Sequence, residues 1–314
     1  MSSIKKFLAS IVHATKRISS IDRLVTRFFQ FWYELPVPPT HYYSPLPDVS
    51  TVRTGVGRWY SPSEMPGITL DEAAQSQLLS ELSRYQAECA ALPSFADVQR
   101  SGYGPGYGEV EAHLLYCMVR HFEPRNIIEV GSGASTFFAL RGLEANRREG
   151  QPVAAMTCIE PYPTAALESL VRQNHTKLIA SEVQDVSPAL FSALSDRDIL
   201  FVDSSHVSKT DSDVNYLYLE VLPRLTPGVI VHIHDISFPY LTFPPEHPLF
   251  VHSILWNESA LVRAFLMFNA GFDILMCQSY VHHRSPHLLR NAIPIYDPER
   301  HFPASLWLRR RVGN

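Results

Sequence analysis

The segment VHIHDI, residues 231–236, carries two histidines and an aspartate where an apolar run ends. Residues two apart in an extended chain point to the same face, so His232 and His234 are expected side by side, with Asp235 turned the other way. The pattern is consistent with a soft-metal site that includes His206, with a catalytic base beside an acid, or with a buried strand that carries histidines. Because His232 lies inside the apolar run, we interpret it as a core histidine with satisfied ring nitrogens. His234 is interpreted as a base or as a group that orients a neighbour.

A glycine-rich segment, EVGSGAST at residues 129–136, offers a second set of residues suited to ligand binding. Gly131 and Gly133 allow a sharp turn and a close approach to a ligand, because they have no Cβ atom. A dinucleotide-binding fingerprint would require a third glycine where Thr136 stands. Glu129 would repel a pyrophosphate, but it would suit a ligand that carries an ammonium group.

Acidic residues follow the next two apolar runs. Glu160 ends the second run, where an acid can accept hydrogen bonds from ribose hydroxyls. Asp185 follows the third run and is placed to meet the amino group of an adenine. Together with Glu129 and the glycines, these acids indicate a ligand that contains an amino acid, a ribose and an adenine. S-adenosyl-L-methionine has this composition.

These residues lie on a regular alternation of apolar runs and helical stretches that begins at Asn126. The alternation indicates βαβ units around a buried sheet, so we predict a doubly wound, mostly parallel, Rossmann-like α/β fold. Helices are predicted over residues 110–122, 163–174 and 214–225. The predicted strand segments are NIIEV, AAMTCIE, KLIASEV, DILFVD, GVIVHIHD and FDILMCQSY.

The first hundred residues differ from the rest, and we divide the chain into three parts. Residues 1–35 show an amphipathic helical stripe with six basic and two acidic residues. This helix can pack on its own domain or on a second copy of the chain, lie on an anionic membrane surface, or act as a targeting peptide. Residues 36–101 are predicted to form a proline-rich arm and a helical cap, whose helix starts with a capping box of Thr69 and Glu72. Residues 102–314 form the main domain.

Composition excludes several classes of function. The formal charge of −4 and an isoelectric point near 6.4 give no basic footprint for nucleic acid. The four cysteines show no metal-ligand spacing, so we expect buried, reduced thiols and a cytoplasmic location. Peripheral membrane contact through residues 1–35 is the alternative. No apolar run is long enough to span a bilayer.

The motifs IIEVGSGAST, IEPYP, FVDSSH and PGVIVHIHDI, in this order, resemble those of the class I S-adenosylmethionine-dependent methyltransferases. They are most similar to a bacterial group that is associated with sugar and polysaccharide biosynthesis, and the resemblance extends over residues 103–280. It implies a seven-stranded sheet and methyl transfer, of the EC 2.1.1 class, to a hydroxyl of a sugar or another small acceptor. An NAD-type oxidoreductase and a non-catalytic interaction protein with the same fold are the alternatives.

The resemblance also implies roles for individual residues in cofactor binding. Ser135 stands at a position where related proteins commonly have glycine. The methionine end of the cofactor is assigned to Glu129, Gly131, Gly133 and Ser135, the ribose to Glu160, and the adenine to Asp185.

Similar enzymes hold a divalent metal with carboxylates at the ends of the fourth and fifth strands, and Asp203 and Asp235 match these positions. Mg²⁺ prefers such oxygen ligands, and it would make an acceptor hydroxyl more acidic. Ile236 stands where the catechol-type pattern has asparagine. We predict that His206 is the base, because histidine titrates near neutral pH. Asp203, His206 and His234 are accordingly the predicted catalytic residues.

Residues 1–35 are predicted to be dispensable for cofactor binding, because their apolar stripe faces a partner surface. A chain that begins at Tyr42 should bind S-adenosyl-L-methionine with the affinity of the full chain, as measured by isothermal titration calorimetry. A soluble, folded chain of this length that no longer binds would show that residues 1–35 take part in the site.

Overall fold

The structure is a computed structural model that describes residues 42–44 and 46–312, together with Leu24 and Phe28. The helix predicted over residues 1–35 lies outside the described residues, apart from these two positions. Among the described residues, no helix is both long and apolar enough to cross a membrane. The four cysteines are free and buried, which confirms the prediction of buried, unpaired thiols.

The chain folds as two compact units. In the smaller unit, the guanidinium group of Arg53 donates to the carbonyl of Val251 at 3.1 Å and to the hydroxyl of Ser253 at 2.8 Å. The predicted strands and every predicted site residue belong to the larger unit. The smaller unit comprises Met1–Trp59 and Pro248–Leu255, and the larger unit comprises Tyr60–His247 and Trp256–Asn314.

Many helices begin after a residue whose side chain accepts a free N–H group of the first turn. Ser94, Thr164 and Ser212 are examples, and such capping stabilises a helix start. The α-helices of the described residues are α1 Val49–Thr54, α2 Val56–Trp59, α3 Glu72–Leu82, α4 Gln86–Ala90, α5 Phe95–Val98, α6 Glu109–Phe122, α7 Ala134–Arg148, α8 Ala165–Arg172, α9 Pro188–Ser192, α10 Asp213–Tyr216, α11 Pro248–Val251, α12 Glu258–Leu266, α13 Gln278–Arg284 and α14 Pro286–Ala292.

The strands of the described residues are β1 Asn126–Val130, β2 Ala155–Ile159, β3 Lys177–Ile179, β4 Ile199–Val202, β5 Ile230–Ile233, β6 Phe272–Cys277 and β7 Leu306–Arg310. They form one sheet in the order β3-β2-β1-β4-β5-β7-β6. The first five strands run parallel, whereas β7 is antiparallel to both of its neighbours. The predicted doubly wound, mostly parallel, seven-stranded α/β sheet is therefore confirmed.

Strand β7 is not recognisable from the sequence, because LWLRR combines three apolar residues with two arginines. The guanidinium group of Arg309 donates to Asp196 at 2.9 Å, and that of Arg310 donates to the carbonyl of Gly271 at 2.8 Å. Both guanidinium groups therefore bind residues outside the strands, whereas Trp307 pairs with His232 on the neighbouring strand β5.

The core lies on both faces of the sheet. Along β4, Ile199 and Phe201 join one buried cluster, whereas Leu200 and Val202 join the other. This alternation follows from the two-residue period of a strand. Because both faces are covered, β4 and β5 are buried throughout, and their polar side chains can reach solvent only beyond the strand ends.

The predicted capping box at the start of α3 is wrong. The helix begins at Glu72, and the carboxylate of Asp71 accepts the N–H of Ala74 at 3.0 Å. Asp71 directly precedes the helix, and aspartate is among the residues that are most strongly preferred at this capping position. It therefore takes the place that the sequence interpretation gave to Thr69.

The helix predicted over residues 214–225 is also interrupted. One α-helical turn ends at Tyr216, a π turn follows over Leu217–Val221, and a 3₁₀ turn covers Leu222–Arg224. Pro223 has no N–H to donate and therefore cannot continue an α-helix. The segment still packs on the sheet, since most of its apolar side chains are buried.

His232 is a core residue, as predicted, but its ring nitrogens are not satisfied. The side chain is fully buried and stacks on Phe201, with ring centroids 4.3 Å apart, and packs on Trp307 at 4.6 Å. Neither ring nitrogen has a hydrogen-bond partner among the described residues. Burial, with the nearby charge of His234, lowers the pKa of His232 well below its ordinary value.

A neutral buried histidine makes the fold sensitive to acid. Below about pH 6.5 the unfolded chain binds a proton at this residue while the folded chain does not, so the free energy of unfolding falls by up to about 1.4 kcal/mol per pH unit. His232→Phe should remove this contribution. Urea unfolding between pH 7.5 and pH 5 should show a shallower loss of stability for the variant, and equal slopes for both proteins would contradict the assignment.

Candidate active site

The glycine loop between β1 and α7 is held against the chain that follows β4. Gly131 has a φ of +79°, and its N–H donates to the carbonyl of Ile159 at 3.1 Å. A Cβ atom at this position would lie 1.9 Å from the carbonyl oxygen of Asp203. Only glycine fits here, so the loop and Asp203 are in direct backbone contact.

The carboxylate of Glu160 holds the same loop from the end of β2. One oxygen accepts the N–H of Ser132 at 3.1 Å, and the other accepts the N–H of Tyr162 at 2.8 Å. The side chain lines a crevice beside the loop. The acid that the sequence assigns to the ribose is therefore accessible to a ligand.

Glu129 lies beneath the loop and is only 1% exposed. It accepts hydrogen bonds from Ser135 Oγ at 2.8 Å and from Thr136 Oγ1 at 2.5 Å. Burial raises the pKa of Glu129 to about 7, although these hydrogen bonds oppose the shift. In this position Glu129 fixes the first turn of α7, and its contact with the ammonium group of a ligand remains a prediction.

The crevice has two halves that share five lining residues. The first half extends from Glu160 towards Tyr162, Val183 and Gln184. Asp185, the predicted adenine ligand, is exposed and is not among the residues that line either half. The shared lining residues are Gly131, Glu160, Asp203, Ser204 and Ser205.

The second half of the crevice runs along the glycine loop to the ends of β4 and β5. Gly133 and Ser135 line it on the loop side, and Tyr107 lines it as well. Trp256 also contributes to its lining, and the indole ring lies on the imidazole of His206, with ring centroids 4.3 Å apart.

At the end of this half, carboxylates from three parts of the chain surround the imidazole of His206. The Nε2 atom lies 3.2 Å from Asp203 Oδ1 and 3.4 Å from Asp235 Oδ2, and the Nδ1 atom lies 2.7 Å from Glu258 Oε2. His206 is 5% exposed and Glu258 is 1% exposed. The structure thus brings together Asp203, His206 and Asp235, as the neighbouring strands implied. We refer to Asp203, His206, Asp235 and Glu258 as the His206 cluster.

Two members of the cluster have an unusual backbone conformation. His206 and Asp235 have φ values of +59° and +58°, which are uncommon for residues other than glycine. The carbonyl of His206 accepts the N–H groups of Asn257 and Glu258 at 3.1 Å and 3.2 Å. The surrounding structure therefore fixes the strained turn, as is often observed at functional sites.

The surroundings of His206 raise the pKa of its imidazole, and its role as the base stays a prediction. Burial alone would lower the pKa of the imidazole, but hydrogen bonds to Asp203 and Glu258 and the charges of Glu258 and Asp235 raise it well above the ordinary value. These groups favour the protonated ring, and a cation that offset the carboxylate charges would favour the neutral ring that a base requires.

His234 lies behind Asp235 and is not among the residues that line the crevice. Its ring packs on Tyr107, with centroids 4.6 Å apart, and its Nε2 atom is 3.5 Å from Asp235 Oδ1. Burial lowers its pKa, but the charges of Asp235, Asp203 and Glu111 raise it overall. His234 is therefore placed to orient Asp235 rather than to contact a substrate.

The residues that contact His206 from outside the strand ends could not be predicted from the sequence. Glu258 resembles any acid in the first turn of a helix, and its 52-residue separation from His206 gives no local signal. Tyr218, whose hydroxyl donates to Glu258 at 2.8 Å, resembles an ordinary core residue. Trp256, whose ring packs on the imidazole of His206, is almost as remote in the chain as Glu258.

A comparison with protein families identifies the domain that carries this site. Residues 128–236 match a family model described as "Methyltransferase domain". This part of the chain is therefore similar to methyltransferase domains. The matched segment includes every site residue predicted from the sequence, whereas Tyr107, Trp256 and Glu258 lie outside it.

Individual relatives and solved structures show lower similarity to this chain. An uncharacterized protein of Archaeoglobus fulgidus is 27% identical over 207 residues, which cover 62% of this chain and 88% of that protein. The SAH-bound methyltransferase PaMTH1 of Podospora anserina is 15% identical, with a TM-score of 0.43, over 87% of this chain and 100% of that one. The O-methyltransferase TomG of Streptomyces achromogenes is 14% identical, with a TM-score of 0.43, over 78% and 92%. Likeness at this level indicates nothing about activity.

Gly131→Ala should disrupt the candidate site, because the new Cβ would collide with the carbonyl oxygen of Asp203. Gly150→Ala is the matched control, since Gly150 also has a positive φ of +92°, but a Cβ atom added there would meet no other atom within 4 Å. In the control, the free energy of unfolding should fall only by the roughly 1–2 kcal/mol that a left-handed conformation costs a residue with a Cβ atom. In Gly131→Ala it should fall by more. Thermal unfolding and binding of S-adenosylhomocysteine measure both effects, and equal behaviour of the two variants would contradict this role.

Proposed function

We propose that the methyltransferase domain transfers a methyl group from S-adenosyl-L-methionine to a hydroxyl of a sugar or another small acceptor. The continuity of the crevice carries this proposal. Glu160 lies in both halves, and the second half ends at the His206 cluster. A cofactor bound with its ribose at Glu160 can therefore extend along the glycine loop towards Asp203 and Asp235.

Polar atoms of the crevice support a nucleoside ligand. The Oε1 atom of Gln184 and the hydroxyl of Ser204 are buried and have no hydrogen-bond partner among the described residues. Gln184 lies in the first half, beyond Glu160, where its oxygen can accept a hydrogen bond from the amino group of an adenine. We therefore favour Gln184 over Asp185 as the adenine contact, while Glu160 accepts hydrogen bonds from the ribose.

The second half of the crevice suits an acceptor with a hydroxyl group. Trp256 offers an aromatic surface that can pack on the apolar face of a sugar. Asp235 lies beside it, with a carboxylate that faces the crevice and can accept the hydroxyl proton. Placement of this hydroxyl in line with the methyl group supplies much of the catalysis, because methyl transfer requires little else than orientation and removal of a proton.

A divalent cation fits the same place. Asp203, His206 and Asp235 each offer a ligand atom, and these atoms all lie within 4.8 Å of one another. The carboxylates of the cluster also outnumber its positive charges. A cation held by Asp203 and Asp235 would lower the pKa of an acceptor hydroxyl.

An NAD-type oxidoreductase is the weaker interpretation of this crevice. Thr136 occupies the position where a dinucleotide fingerprint requires a third glycine. Its side chain is fully buried and donates to Glu129, so the helix start is packed differently from that of a dinucleotide site.

Glu160→Gln should weaken the binding of S-adenosylhomocysteine by at least about tenfold, because hydrogen bonds to a charged group contribute about 1.5–3 kcal/mol. Glu168→Gln is the control, since Glu168 is exposed on α8 and forms only an ion pair with Arg172. Calorimetry measures both affinities, and mass spectrometry of hydroxylated metabolites incubated with S-adenosyl-L-methionine identifies the methylated acceptor. Unchanged affinity of Glu160→Gln, or tighter binding of NAD⁺ than of S-adenosylhomocysteine, would contradict the proposal.

A further inference from the structure

We infer that His206 is itself a metal ligand, that Glu258 is its positioning residue, and that the site selects a first-row transition metal ion such as Zn²⁺ over Mg²⁺. The binding of the metal is inferred from the geometry of the His206 cluster. Only the role of the metal in methyl transfer rests on the proposed function. It assigns the imidazole a role other than that of the base.

The two nitrogens of His206 have different surroundings. Nδ1 lies 2.7 Å from a single carboxylate oxygen of Glu258, which is the distance of a charge-assisted hydrogen bond. Nε2 lies farther from two oxygens, at 3.2 Å from Asp203 and 3.4 Å from Asp235. One N–H cannot donate well to both of them. Neighbouring ligand atoms on a metal with bonds of about 2.1 Å are spaced by about 3.0–3.4 Å, which is the spacing observed around Nε2.

Glu258 is built into the protein as a fixed hydrogen-bond acceptor. Its side chain is 2% exposed, and its other oxygen accepts the hydroxyl of Tyr218 at 2.8 Å. The backbone N–H of Glu258 donates to the carbonyl of His206, so the two residues are linked twice. A histidine that binds a metal almost always donates its other ring N–H to a carboxylate or a carbonyl. Glu258 therefore holds the proton on Nδ1 and leaves the Nε2 lone pair directed between Asp203 and Asp235.

The charges of the cluster also favour a cation. Three carboxylates surround the imidazole, and none of them has a lysine or arginine partner in an ion pair among the described residues. A ring nitrogen of His234 lies 3.5 Å from Asp235 Oδ1, and the charge of His247 also acts on Asp235. A divalent cation beside a neutral imidazole offsets two of the negative charges, whereas an imidazolium alone offsets one.

The ligand set then indicates the class of metal. Mg²⁺ strongly prefers oxygen ligands, whereas imidazole suits Zn²⁺ and other transition metals. One nitrogen and two carboxylate oxygens from the protein therefore indicate a borderline ion, with further positions available to water or to an acceptor hydroxyl. Zn²⁺ is the probe of choice because it has no redox chemistry.

The test is calorimetric titration of the chelator-treated full chain with Zn²⁺ and, separately, with Mg²⁺. Wild type should bind Zn²⁺ more tightly than Mg²⁺. His206→Gln should abolish the preference, and Glu258→Gln should weaken Zn²⁺ binding by about 10–100-fold. Glu182→Gln is the control, because Glu182 is an acid of the same crevice outside the cluster, and its Zn²⁺ affinity should equal that of wild type.

A second measurement does not depend on the stability of the variants. In wild-type protein labelled with ¹⁵N-histidine, Zn²⁺ should shift one Nε2 resonance while the Nδ1 proton of the same ring is retained. Failure of wild type to bind Zn²⁺, or binding without a histidine shift, would overturn the inference, as would equal affinities of wild type and His206→Gln. Binding of S-adenosylhomocysteine is measured on the same samples, so a failure of the proposed function is distinguished from a failure of the metal site.

Discussion

Three carboxyl groups converge on the imidazole of His206 in a part of the protein that is largely closed to solvent. Buried charges of one sign are unfavourable unless they are paired and hydrogen-bonded, so the positions of Asp203, Asp235 and Glu258 depend on one another. They come from the end of β4, the end of β5 and the start of α12. The imidazole therefore ties three elements together, and loss of one partner of a buried pair typically costs about 3–5 kcal/mol.

The same constraint extends to the glycine loop. The backbone N–H of Asp203 donates to the carbonyl of Val130 at 2.9 Å, and Gly131 lies against the carbonyl oxygen of Asp203. Glu160 holds the other side of this loop through the N–H of Ser132. The segment that would carry the cofactor and the cluster that would carry the acceptor are therefore in direct backbone contact. Such a connection would suit the proposed methyl transfer, which depends on the placement of the two reactants.

Residues at strand ends could be predicted from the sequence, because the apolar run and the polar residue after it are adjacent in the chain. Glu160, Asp203 and Asp235 are examples, and the parallel order of the strands brings all three to one edge. Contacts between distant segments could not be predicted in this way. Nothing in the local pattern distinguishes Glu258 from an ordinary acid at a helix start, and the arginines of β7 conceal a strand that lies between β5 and β6.

The hydrogen-bond partners and pKa values of the histidines also depend on contacts that the sequence does not reveal. The sequence distinguishes His232 from His234, but nothing in it indicates that both ring nitrogens of His232 lack a hydrogen-bond partner among the described residues. The base role predicted for His206 followed from its ordinary pKa. Two of the charges that raise this pKa come from Asp235 and Glu258, which are remote in the chain.

A crystal structure of the full chain with S-adenosylhomocysteine tests the central claim most directly. We expect the ribose hydroxyls on Glu160, the adenine beside Gln184, and the sulfur atom directed towards Asp203 and Asp235 across the glycine loop. S-adenosylhomocysteine bound outside this crevice, or bound with its sulfur directed away from the His206 cluster, would contradict the account.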